Sequence, residues 1–118
     1  MNSVKRYTET ALSTQRRGKL VVALYDGCIR YLKNAREKLE AGDPAGKGEY
    51  IVKAQAIIAE LNNSLKMEAA PELTDNLRAL YNYMHRRLSE ANMERDVGRI
   101  DECLDIMETL ADAWRRGV

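Results

Sequence analysis

The sequence predicts an all-α protein, an antiparallel up-down four-helix bundle with an N-terminal arm or short extra helix. Three observations carry that expectation. Apolar residues recur at steps of three and four along four long stretches. No run alternates with period two over a strand's length, and β-branched residues are sparse. Two prolines and seven glycines punctuate 118 residues, and the punctuation divides the chain into segments of similar length.

The first stretch runs from about Gly18 to Ala41, with Leu20, Leu24, Cys28, Tyr31, Ala35 and Leu39 along one face. Gly42 suits the left-handed conformation that ends a helix. Asp43 then offers a capping carboxylate and Pro44 fits a first helical turn, so a second helix follows at once. Its face is Ile51, Ala54, Ile58, Leu61 and Leu65. Ala69-Ala70-Pro71-Glu72 reads as a turn that opens a third helix lined by Leu73, Leu77, Leu80, Met84, Leu88 and Ala91. Asp96-Val97-Gly98 is a very short connection to the last helix, which carries Val97, Ile100, Leu104, Met107, Ala111 and Trp114. Short connections make neighbouring helices antiparallel. Residues 1–16 stand apart as a polar arm anchored by Val4, Tyr7, Ala11 and Leu12, and residues 17–118 form the bundle.

Composition narrows the function. A length of 118 residues suits one core, and 45% hydrophobic residues suit a globular one. Nineteen basic and 18 acidic side chains nearly cancel, which argues against a nucleic-acid partner. The longest apolar run, Leu20 to Leu24, is far short of the roughly 20 residues of a membrane span, so no membrane insertion is expected. The N-terminus lacks a signal peptide's apolar core. Cys28 and Cys103 have no metal or redox spacing and read as reduced, buried thiols. A cytoplasmic location follows as the expectation.

No catalytic or cofactor site is expected. His85 is the sole histidine, so neither a histidine metal cluster nor a serine triad can be built. Asp101, Asp105 and Glu108 form an acidic stripe on the last helix, thickened by Glu102 and Asp112, and read as a solvated face rather than a cation cage. The informative oddity is surplus apolar residues: Val21, Val22, Tyr25, Ile29 and Leu32 on the first helix, Tyr50 and Ile57 on the second, Tyr81 and Tyr83 on the third. They imply either a wide core stripe or a hydrophobic groove that receives another chain's amphipathic helix. Tyrosine, with an apolar ring and a wet hydroxyl, suits the groove.

Several segments resemble one family. The run Leu20-Val21-Val22-Ala23-Leu24-Tyr25-Asp26-Gly27 looks like the first-helix signature of the flagellar chaperone family FliS. Lys53-Ala54-Gln55-Ala56-Ile57-Ile58-Ala59-Glu60-Leu61 is similar to its second-helix segment, and Leu80-Tyr81-Asn82-Tyr83-Met84 to its third. Ala113-Trp114 and Tyr7 match a terminal pair and an arm tyrosine. Arg17 stands where the family commonly has proline, and Lys66 replaces a common aspartate.

The resemblance implies a helical bundle that binds the disordered C-terminal segment of flagellin, prevents premature polymerisation, and delivers it to the flagellar type III export gate. Regulators of flagellin synthesis are a further implied class of partner. From the surplus positions the groove is assigned to Tyr25, Ile29, Tyr50, Ala54, Ile57 and Leu61, with Val21 at its end. Tyr7 and Leu12 are assigned to an arm that covers part of it. The rival reading is a self-associating structural or regulatory bundle with no flagellin client.

Overall fold

Four helices in chain order build the protein: α1 (Asn2–Glu40), α2 (Pro44–Ser64), α3 (Pro71–Met93) and α4 (Val97–Arg115). The structure is a computed structural model that describes residues 2–65 and 70–117, with side chains in α1 described at Val4 and from Arg17 onward. Lys66 and Ala69 lie outside the described residues, as do the side chains of Tyr7 and Leu12. Each helix packs on its neighbour in sequence, and α4 closes back onto α1.

The α1–α2 joint shows how local chemistry sets the topology. Gly42 takes φ +73°, which only glycine adopts without a Cβ clash. The Asp43 N–H donates to Lys38 O at 2.8 Å and the Gly42 N–H to Leu39 O at 3.1 Å, the paired bonds of a Schellman motif. Asp43 then accepts from the Gly46 N–H at 3.0 Å and caps α2, with Pro44 in the first turn. Asp96 caps α4 in the same way through Gly98. The Asp43 cap matches the sequence expectation, whereas Asp96, expected only as part of a short connection, proves to be a cap as well.

α1 extends further than its periodicity indicates. The segment expected as an arm, 1–16, is helical from Asn2 and continuous with the rest of a 39-residue helix. No proline interrupts it, because position 17 is arginine, and the backbone stays helical through the junction. The other helices have 19 to 23 residues, so α1 overhangs the bundle, and the molecule measures 62 × 24 × 20 Å.

The core corrects the inner faces of three helices. On α2 the buried stripe is Ile51, Ala54, Ile58, Leu61 and Leu65, as expected. On α1 it is Val21, Tyr25, Cys28, Leu32 and Ala35, while Leu20 is 66% exposed and Leu24, Tyr31 and Leu39 are half-buried. Both stripes keep helical spacing and share Cys28 and Ala35. The inner one is whichever lies midway between α2 and α4. On α3, Tyr81 joins Leu77, Met84, Leu88 and Ala91 inside, and Leu73 is 52% exposed. On α4, Cys103 joins Ile100, Leu104, Met107 and Ala111 inside, with Trp114 half-buried.

Candidate functional site

The four seams between adjacent helices differ in chemistry, and the difference locates the site. The α2–α3 seam is polar. Gln55 donates to His85 O and Ser89 Oγ, Asn62 donates to Asn82, and Arg78 donates to Asn62. At one end the Lys47 ammonium, 4% exposed, donates to Asn92 O at 3.2 Å and Glu94 O at 3.5 Å, satisfying the last carbonyls of α3. This seam is sealed.

The α1–α4 seam is charged. A cleft of about 620 Å³ is lined by Lys33, Arg36, Glu37, Glu40, Asp101, Leu104, Asp105 and Glu108. Arg36 reaches Asp101 at 3.0 Å and Glu40 at 3.1 Å, so cations from α1 face the acidic stripe of α4. Among the described residues no group of three or more His, Cys, Asp or Glu could hold a metal ion.

The α1–α2 seam is tight. A Cβ at Gly27 would meet Ile57 Cδ1 at 3.3 Å, so the glycine lets the two helices approach closely under Ile57. Tyr31 and Tyr50 pack with centroids 6.1 Å apart, and the Lys53 ammonium sits 5.7 and 5.4 Å from the two ring centres.

The α3–α4 seam carries two apolar hollows. Leu73, Leu77, Leu110, Ala113 and Trp114 line a hollow of about 100 Å³. Leu80, Asp105, Ile106, Thr109 and Leu110 line the next, of about 290 Å³. Leu110 borders both, and the two hollows line up along the seam as the α3–α4 groove. Helical spacing produces it: Leu73, Leu77 and Leu80 stand at steps of four and three, opposite Ile106, Leu110 and Ala113. The far half of the seam is closed by polar contacts. Tyr83 donates its hydroxyl to Glu102, and Arg87 donates to the same carboxylate at 3.2 Å. The tyrosine bond, aided by Arg87, holds the Glu102 carboxyl below the usual carboxylate range and pushes the Tyr83 phenol up.

The sequence-assigned groove residues therefore separate. Val21, Tyr25, Ala54 and Leu61 are buried in the core, Tyr50 and Ile57 are half-buried at the surface of the α1–α2 seam, and Ile29 is half-buried on the side of α1 that carries Val22 and Arg36. The residues that line the open groove include Leu73 and Leu80, read from sequence as core, and Ile106 and Leu110, which were not singled out. Their signal was present as apolar positions one step off the inner stripes.

Known proteins share this fold. A family model described as flagellar protein FliS matches residues 1–117. The flagellar secretion chaperone FliS of Bacillus subtilis (strain 168) is 34% identical over 117 residues, covering 99% of this chain and 86% of that protein. Its namesake in Escherichia coli (strain K12) is 39% identical over 111 residues, covering 93% and 82%. A crystal structure of a flagellar chaperone from bacteria superposes with a TM-score of 0.83 at 24% identity, covering 99% of this chain and 95% of that one, and shares the fold.

Proposed function

The chain belongs to the FliS family of flagellar secretion chaperones, and from that premise we propose that its client is flagellin, held by the C-terminal segment in the α3–α4 groove. The single observation that carries this reading is the pair of apolar hollows along that seam, beside a polar α2–α3 seam, a close-packed α1–α2 seam and a charged α1–α4 cleft. An unassembled filament protein carries an amphipathic segment whose apolar face has no partner in the cytoplasm. Leu73, Leu80 and Leu110 offer substitute partners at helical spacing, so a helical segment can lay its apolar face along them. Ordering the segment costs free energy, which keeps a large interface reversible enough for hand-off to the type III export gate.

Tyr50 and Ile57 form a second, smaller contact on the α1–α2 seam, where a wrapped client continues, and Ile29 stands on the other side of α1. Val21, Tyr25, Ala54 and Leu61 serve from within, by setting the helix spacing. Tyr7 and Leu12 belong to an N-terminal segment that covers the client site only if α1 breaks near Gly18. Regulators of flagellin synthesis compete for the same chaperone.

Calorimetry with a C-terminal flagellin peptide tests the reading. One-to-one binding is expected, weakened about tenfold or more by Leu80→Glu with helicity unchanged, since a buried leucine is worth about 1.5–3 kcal/mol. Ile57→Glu reduces affinity less. Absence of binding to the unmodified protein sinks the flagellin assignment. Binding indifferent to Leu80→Glu sinks the groove.

A further inference from the structure

Trp114 is the wall of the groove, and its position depends on a hydroxyl in the core. The indole lines the smaller apolar hollow with Leu77 and Leu110, and on its other side it lines a hollow of about 600 Å³ with Gly18, Val22 and Arg115. It stands in the last turn of α4, which ends at Arg115. Helix ends fray, because their final carbonyls lack intrahelical donors. A half-buried indole there, held by packing alone, has open space on two sides and several rotamers to choose from.

One directional contact removes that freedom. The Trp114 Nε1–H donates to the Tyr25 hydroxyl at 3.1 Å, with ring centroids 6.5 Å apart. Indole is a donor only, so this bond fixes both ring face and rotamer. The acceptor is itself immobile: Tyr25 is fully buried, and its hydroxyl is hydrogen-bonded to that of Tyr81, 2% exposed on α3. Arg115 pairs with Asp26 on the same turn of α1 and pins the end of α4 beside it.

We propose that Tyr25 is a positioning residue for client binding: without touching the client, it holds the Trp114 indole as a preformed wall of the α3–α4 groove. The inference rests on the groove reading above and adds a residue outside the groove to its machinery. A wall already in its bound rotamer spares the complex the entropy of ordering it, so the bond contributes to affinity rather than only to stability.

Tyr25→Phe keeps the ring and removes the hydroxyl. Trp114 is the sole tryptophan, so one indole N–H resonance and one emission spectrum report on it. Tyr25→Phe should shift that resonance, speed its hydrogen exchange, and weaken binding of a C-terminal flagellin peptide on the order of five- to tenfold, mainly through faster dissociation. Tyr81→Phe breaks the same buried tyrosine pair but leaves Tyr25 as the indole's acceptor, so binding should stay within about twofold.

Equal loss in both variants means the effect is general destabilisation and overturns the proposal. So does unchanged affinity in Tyr25→Phe with a displaced indole signal. Should Tyr25→Phe fail to fold, Trp114→Phe removes the bond from its exposed end. It must then lose at least the same affinity, and unweakened binding overturns the proposal. If the unmodified protein binds no peptide while Tyr25→Phe still moves the indole signal, the groove reading fails and takes this inference with it, though the hydrogen bond stands.

Discussion

Cys28 and Cys103 are fully buried, and burial pushes each thiol from an ordinary 9.0 up to about 12. Their Sγ atoms face Ala54 O and Met84 O rather than solvent. The consequence is an alkaline limit on stability. Below pH 9.0 both folded and unfolded thiols are protonated and the contribution is whole. Between 9.0 and about 12 the unfolded thiols ionise while the folded ones do not, so the unfolded state binds fewer protons and stability falls as pH rises. The fall approaches about 1.4 kcal/mol per pH unit for each thiol. Denaturant titrations across that window should show a steeper decline for the unmodified protein than for Cys28→Ala/Cys103→Ala. Parallel declines would mean the thiols are already accessible. Lys47 is the counterpart among polar groups: a buried ammonium is tolerated because two carbonyls at the end of α3 accept its hydrogens.

At the scale of the element, α1 is the unusual piece. Its second half is held by the core from Val21 onward, and the whole helix is far longer than the three it packs with. That continuity rests on a helix-compatible residue at position 17. Arg17→Pro would remove one backbone donor and set the ring against the carbonyl four residues earlier, at a local cost of about 3 kcal/mol. Far-ultraviolet circular dichroism should then lose the helical signal of residues 2–17, while the melting temperature holds, because the described core begins at Val21. Undiminished ellipticity would show that the segment renucleates by itself. Chemistry sets other boundaries: Gly42 stops α1, and Asp43 and Asp96 cap the starts of α2 and α4, so those ends have little latitude.

For the whole molecule, the arrangement of four seams matters more than any one of them. The α1–α2 and α2–α3 seams are closed by contacts within the chain, the α1–α4 seam holds a charged cleft and a second hollow beside Trp114, and the α3–α4 seam keeps apolar surface uncovered along Leu73, Leu80 and Leu110. A client that binds the folded state alone must stabilise it by mass action. With peptide about a hundredfold above its Kd the gain is about 2.7 kcal/mol, a rise of about 10 °C in melting temperature for a domain of this size. Differential scanning calorimetry should show that rise, reduced in Leu80→Glu at the same peptide concentration. An equal rise in both would place the client on another seam.

Periodicity, caps and breakers determined the four bundle helices, their order, the α1–α2 and α3–α4 joints and the whole inner face of α2, because each depends on residues within a turn or two of one another. The family signature was legible in the same way, in Tyr25-Asp26-Gly27 and Leu80-Tyr81-Asn82-Tyr83-Met84. Tertiary structure decided what local spacing leaves degenerate. On α1 and α3 two apolar stripes lie side by side, and only the rotation each helix takes against its neighbours puts Tyr25 and Tyr81 inside and leaves Leu20 and Leu73 out. The location of the groove follows from the same rotation. A seam stays open where two helices turn apolar side chains toward each other without filling the space between them, and that property belongs to a pair of surfaces.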